Sequence, residues 1–211
     1  MRKNSTSLTS ARPLIVDFIG GSLNHRLNFG GGIKQNLAKA VGIKSGIRPD
    51  IIDATAGLGR DSFILASMGS HITLIERSQI MHDLLADGMS KASREGGKLS
   101  EVIARMTLIH GDAIEILPQT STDVIYIDPM HPPRQKSALV KTEMRQIRAI
   151  VGEDLDQLQL IKTALSGNYR RAVVKWPSKL PLPYGLPECS HRLVGKSVRF
   201  DIFMNTNLDE T

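Results

Sequence analysis

Between Pro49 and Lys175, short apolar runs alternate with stretches of helical period. Asp50–Ala54, His71–Ile75, Met106–Ile109, Val124–Ile127 and Arg171–Lys175 read as strands bounded by turn residues. Ile80, Leu84, Leu85 and Met89 give Gln79–Arg94 a helical face. Residues 61–68, 113–117, 138–150 and 154–166 also read as helical. Strands separated by helices pair in parallel, through right-handed crossovers. The last stretch, Leu193–Asn205, is different. Within it Ser197–Met204 alternates polar and apolar residues, as a half-buried antiparallel strand does. The expected fold is α/β: a mostly parallel seven-stranded sheet with a C-terminal antiparallel strand pair and helices on both faces.

The first strand runs into Asp53-Ala54-Thr55-Ala56-Gly57-Leu58-Gly59-Arg60-Asp61, and a helical pattern follows. Glycine lets a backbone turn sharply and approach a ligand closely. The helix that follows aims unpaired N–H groups into the loop. Ligands of open α/β sheets bind at the carboxyl ends of the strands. Four successive strands here end in acids: Asp53, Glu76, Asp112 and Asp128. One acid at a strand end is ordinary solvation; four in succession predict a shared crevice.

Glu76 lies 23 positions after Asp53. That is close to the ~20-residue spacing at which an acid meets a ribose in dinucleotide folds. The dinucleotide fingerprint needs a third glycine, however, and here Arg60-Asp61-Ser62 follows Gly57-Leu58-Gly59. With no pyrophosphate to cradle, an acidic crevice suits a cationic ligand. S-adenosylmethionine carries an ammonium, a sulfonium and a ribose. Asp53 suits its methionine end, Glu76 its ribose and Asp112 its adenine amine, while Arg60 could pair with its carboxylate. For Arg60 and Asp61, polarity at a helix N-terminus is an equally simple account.

Asp128-Pro129-Met130-His131 bears on the acceptor. Prolines 129, 132 and 133 stiffen the loop. An exocyclic base amine is a poor nucleophile, because its lone pair is delocalised into the ring. A carboxylate and a backbone carbonyl that accept its hydrogens draw that pair out of conjugation. Asp128 and Pro129 are the candidates, and His131 could stack on an extruded base. A Pro-rich turn with a structural Asp is the plainer alternative.

Charge divides the chain unevenly. The net charge is +6, yet residues 1–48 hold eight Lys/Arg against one acid, Asp17, and residues 49–211 sum to −1. A second basic cluster, residues 131–148, carries five Lys/Arg against Glu143. Two such clusters suggest a side that faces a polyanion, although a solvated surface with a basic tail has the same charge. His25, Arg26 and Lys34 in the first cluster, and Arg134, Lys136, Lys141 and Arg145 in the second, are the candidate RNA contacts. Residues 1–13 are polar and aperiodic and are expected to form a mobile tail. Residues 14–48 form a basic segment with a Gly-rich loop, containing a possible short strand at Leu14–Ile19 and a helix over 34–42 capped by Gly42. Residues 49–211 form the main domain.

No apolar run approaches the ~20 residues that span a bilayer, and no apolar core follows Arg2 and Lys3 as in a secretory signal. The lone Cys189 excludes an internal disulfide or a cysteine-clustered zinc site and fits a reducing cytoplasm. No metal and no membrane partner are expected.

Together these residues resemble a Rossmann-like class I S-adenosylmethionine-dependent methyltransferase. Asp53–Gly59 matches its first motif, Glu76 and Asp112 its second- and third-strand acids, and Asp128–His131 its amine-methylating D/N-P-P-Y/F motif. The blocks Asp53–Asp61, Asp128-Pro129-Met130 and Gln135–Lys141 are more specific. With Val16-Asp17-Phe18, Phe29–Gly32 and Ala38–Lys44, they are similar to the ribosomal RNA small subunit methyltransferase J family over about residues 15–203. The resemblance implies methylation of guanosine N2 in 16S ribosomal RNA, with that RNA or the small ribosomal subunit as partner. It also implies cofactor contacts at Arg60, Asp61, Glu76, Arg77, Asp112, Ala113 and Asp128. His131 stands where the family often has Phe. Alternatives are an adenine-N6 methyltransferase acting on DNA or RNA, a non-catalytic RNA-binding assembly factor, and a nicotinamide oxidoreductase. The missing third glycine disfavours the last.

Overall fold

A computed structural model describes residues 14–20, 23, 32–130, 142–151 and 156–205. Its strands are β1 (Ile51–Asp53), β2 (Ile72–Glu76), β3 (Met106–His110), β4 (Ser121–Ile127), β5 (Asn168–Pro177), β6 (His191–Val194) and β7 (Val198–Met204). They form one sheet in the order β3-β2-β1-β4-β5-β7-β6. The first five strands pair in parallel. β7 runs antiparallel to β5 and to β6. The expected α/β architecture, with its C-terminal antiparallel pair, is the one found.

Successive side chains on a strand point to opposite faces. Ile51, Val124, Tyr126 and Val173 therefore join one core, with α1 (Asn36–Val41), α2 (Arg60–Ser67), α3 (Gln79–Arg94) and α4 (Gly97–Ile103). Ile52, Ile125, Ile127, Ala172 and Val174 join the other, with α5 (Ala113–Ile116) and α7 (Gln157–Leu165). Between β4 and α7 runs α6 (Thr142–Val151). Because both faces are covered, the central strands read as continuous apolar runs.

Three features differ from expectation. Leu14–Ile19 is not a strand. Asp17 Oδ1 accepts the backbone N–H groups of Ile19 and Gly20, each at 2.9 Å, which turns the chain. Val16 and Phe18 are nevertheless buried in the core. β7 is not half-solvated: Arg199 and Asp201 are both buried. Arg199 Nε donates to Asp201 Oδ2 at 2.7 Å, and its Nη1 to the Pro177 carbonyl at 2.8 Å. Arg192 donates to Asp201 Oδ1. The polar residues of this alternating strand thus satisfy one another inside the protein. After Gly96–Gly97, where the sequence suggested no element, α4 buries Val102 and Ile103.

The helix expected over 34–42 is α1, preceded by a 3-10 turn at Gly32–Lys34. Gly42 closes α1 with φ 85°, a left-handed cap suited to glycine. Arg171 on β5 donates to the Ala40 carbonyl at 2.8 Å, which ties α1 to the sheet.

Candidate active site

The β1–α2 loop is shaped by two glycines with different surroundings. Gly59 has φ 65°, and a Cβ there would lie 2.8 Å from Leu85 Cδ1 and 3.3 Å from Phe18 Cζ. It lets the loop pack on the core. Gly57 has φ 52°, and among the described residues a Cβ there would meet only the Thr55 carbonyl, at 3.8 Å. It leaves open space in a cleft above the sheet.

That cleft is lined by Asp53, Gly57, Arg60, Asp61, Glu76, Arg77, Asp112, Ala113 and Asp128. The four strand-end acids do share one crevice. Glu76 Oε2 accepts the Gly57 N–H and Oε1 the Ser78 N–H, each at 2.9 Å, so the β2 acid braces the loop beside it. Asp112 caps α5 by accepting the Ile114 N–H at 2.8 Å. Asp53 is buried; it accepts the Thr55 N–H at 3.0 Å and the Ser62 hydroxyl. Burial pushes its pKa up to about 7 against the pull of those hydrogen bonds, with Asp61 and Asp128 adding to the rise.

Side-chain alternation assembles the centre of the site. Asp53 on β1 pairs in register with Tyr126 on β4, and Tyr126 with Val173 on β5. Lys175, two residues beyond Val173, lies on the same face. That face carries α2, so these residues meet its first turn. The Tyr126 hydroxyl donates to Asp61 Oδ2 at 2.6 Å. Lys175 Nζ donates to Asp61 Oδ2 and to Asp128 Oδ2, each at 2.7 Å. The Asp128 N–H donates to Thr55 Oγ1 at 2.7 Å.

Burial pushes Asp128 up to about 6, with Lys175 opposing the rise and Asp61 adding to it. Burial works against the Lys175 charge, but Asp128 and Asp61 outweigh it and hold its pKa above the ordinary lysine value. Burial, followed by the nearby Asp61 and Asp128 charges, keeps the Tyr126 hydroxyl protonated well beyond its usual range. Tyr126 and Lys175 escape a reading that looks for acids at strand ends. The signal for Lys175 was a lone charge near the end of the apolar run Ala172-Val173-Val174.

Apolar side chains complete the cleft: Ile75, Met81, Ile114, Ile147 and Leu160. Arg77 pairs with Asp156 at 2.6 Å, joining the end of β2 to the start of α7. Gln157 donates to the Met130 carbonyl, anchoring the chain after Asp128, and Pro129 is buried. Lys34 is exposed on its 3-10 turn. His25, Arg26, His131, Arg134, Lys136 and Lys141 lie outside the described residues, as does the side chain of Arg145.

The residues present fit S-adenosylmethionine. An open cradle stands at Gly57, acids stand on adjacent strand ends where ribose and adenine amine are expected, and apolar walls lie beside them. Fold and site define a class I S-adenosylmethionine-dependent methyltransferase. The family described as "Putative SAM-dependent methyltransferase" matches residues 2–205. Two proteins named ribosomal RNA small subunit methyltransferase J are similar to the chain. One, from Brucella anthropi, is 52% identical over 195 residues, covering 92% of this chain and 95% of its own. The other, from Agrobacterium fabrum, is 51% identical, covering 90% and 91%. The crystal structure of an S-adenosylmethionine-dependent methyltransferase from Neisseria gonorrhoeae matches with TM-score 0.72 and 33% identity, over 93% of this chain and 76% of that one. The chain belongs to the ribosomal RNA small subunit methyltransferase J family.

Proposed function

We propose that this protein methylates the N2 amine of a guanosine in 16S ribosomal RNA, as naked RNA or in the small subunit. The observation that carries the reading is Asp128, an acid at the end of β4 in the cofactor cleft, followed by a buried proline. Its N–H is anchored on Thr55 and its Oδ2 on Lys175.

S-adenosylmethionine, when bound, supplies an electrophilic methyl group on a sulfonium. Glu76 would hold its ribose, Asp112 its adenine amine, and Asp53 and Arg60 its methionine end. The Asp128 carboxylate accepts one N2 hydrogen of the flipped base and the Pro129 carbonyl the other. The nitrogen lone pair then leaves conjugation and turns toward the cleft. As the amine gains its methyl group it sheds one proton, and Asp128 is the base in contact with it. His131 is the proposed stacking partner of the base. His25, Arg26, Lys34, Arg134, Lys136, Lys141 and Arg145 are the proposed RNA contacts, whose contribution added salt weakens. Residues 49–211 form the methyltransferase domain, and residues 14–48 contribute to the RNA grip. The protein acts in the cytoplasm, where 16S ribosomal RNA and the small subunit are its partners.

The test is incubation with labelled S-adenosylmethionine and 16S ribosomal RNA, naked or in 30S particles, followed by nucleoside mass spectrometry. Label in N2-methylguanosine supports the reading, and label in N6-methyladenosine replaces it with an adenine enzyme. No label under any of these conditions, in a protein that binds the donor, points to an assembly factor.

A further inference from the structure

We propose that Lys175 determines base specificity by donating a hydrogen bond to the O6 carbonyl of the target guanine, beside the Asp128 carboxylate that receives N1–H and N2–H. The inference rests on the guanine reading above and adds a residue to it.

An ammonium has three N–H donors. Among the described residues Lys175 uses two, on Asp61 and Asp128. Lys175 lines the same cleft as Asp128, and its side chain retains 21% exposure there. Asp128 Oδ1 has no hydrogen-bond partner among the described residues, while Oδ2 is held 2.7 Å from Lys175 Nζ. The two side chains therefore offer a row of acceptor, acceptor and donor. The Watson–Crick edge of guanine offers donor at N2, donor at N1 and acceptor at O6, the complementary row. Adenine offers a donor at N6 and an acceptor at N1, so it leaves one carboxylate oxygen unmatched. A flipped base is read along this edge. A site built to hydrogen-bond its substrate rejects analogues that leave its polar groups unpaired.

Asp61 keeps the ammonium in place. Its Oδ2 accepts both Lys175 and the Tyr126 hydroxyl. The donor is thus held by a second acid besides Asp128.

The experiment uses a synthetic RNA spanning the guanosine that the wild-type protein methylates, with guanosine or 6-thioguanosine at the target. Sulfur replaces only O6 and accepts hydrogen bonds weakly. Wild type should prefer guanosine in kcat/KM by about tenfold or more, the scale of one hydrogen bond to a charged donor. Lys175→Met should bring that ratio close to one, and Lys175→Arg, which keeps a cationic donor, should retain most of it. Both substrates are turned over by one enzyme preparation, so partial unfolding cancels in the ratio. A Lys175→Met variant that loses both substrates equally, even completely, overturns the inference and leaves Lys175 a support for Asp128. If the wild type methylates no guanosine, the guanine reading itself has failed, which is a separate outcome.

Discussion

Lys175 Nζ lies 2.7 Å from Oδ2 of Asp128 and 2.7 Å from Oδ2 of Asp61. The three residues arrive from β5, from the end of β4 and from the first turn of α2. One ammonium therefore joins the loop expected to hold the methyl donor to the acid expected to hold the acceptor. It also opposes the tendency of burial to neutralise Asp128.

Asp128→Ala removes the acceptor of the amine hydrogen but no residue that braces Gly57. Turnover should fall by about 100-fold or more, the scale of a positioned acid–base group. Affinity for S-adenosylhomocysteine should change by only a few-fold. Single-turnover kinetics and calorimetry measure the two. Unchanged turnover would remove Asp128 from the mechanism.

Turnover should also depend on pH through Asp128. The carboxylate is the active form, and its pKa is pushed up to about 6. The kcat/KM for the RNA, which reports the free enzyme's groups, should be level above pH 7 and fall toward tenfold per unit below 6. Lys175, with its pKa held above the ordinary value, stays charged across this range. A rate profile flat from pH 5 to 8 contradicts this assignment.

The two loop glycines should respond differently to alanine. At Gly59 the methyl group meets Leu85 and Phe18 and the backbone is left-handed. Gly59→Ala should cost about 2–4 kcal/mol of stability, overpacking adding to strain. At Gly57 the added methyl projects into open space in the cleft. Gly57→Ala should cost about 1 kcal/mol but weaken S-adenosylhomocysteine binding. Denaturant titration and calorimetry on both variants separate the effects. Equal stability losses with equal affinity losses would refute the division.

How far the sequence was legible follows from which contacts are local. Asp53, Glu76, Asp112 and Asp128 could be placed because a parallel sheet brings strand ends to one edge whatever the packing. Lys175 could not, since its bond to Asp61 spans 114 positions and depends on register and face. Tyr126 lies inside the apolar run read as a strand and is buried, while its hydroxyl donates to Asp61. In β7, alternation suggested a wet face because spacing cannot distinguish solvated charges from charges that pair inside the protein. At Leu14–Ile19 alternate apolar residues, Val16 and Phe18, are buried, but Asp17 takes the N–H groups of Ile19 and Gly20 and turns the chain.

The buried Arg199–Asp201 pair is a stability element away from the cleft. Asp201 is fully buried and binds two arginines, so Asp201→Asn leaves buried positive charge poorly compensated. Breaking such a pair costs about 3–5 kcal/mol. The folded variant should bind S-adenosylhomocysteine as wild type does, because neither residue lines the cleft. A stability loss under about 1 kcal/mol, measured by denaturant titration, would show that the pair is not structural.

Asp53 should make the fold less stable as pH rises. Its pKa goes from 3.8 in the unfolded chain to about 7 in the folded one. Between those values the folded protein holds more protons than the unfolded chain, so stability declines with rising pH through the window from about 4 to 7. Above pH 7 both states are ionised and the whole penalty, of order 4 kcal/mol, is present. Asp53→Asn keeps an oxygen acceptor for the Thr55 N–H or the Ser62 hydroxyl and has no charge to bury. Against wild type it should gain stability at pH 8 relative to pH 5. Chemical denaturation at the two pH values gives the comparison, and a wild-type difference that the variant reproduces would assign the pH dependence to other groups.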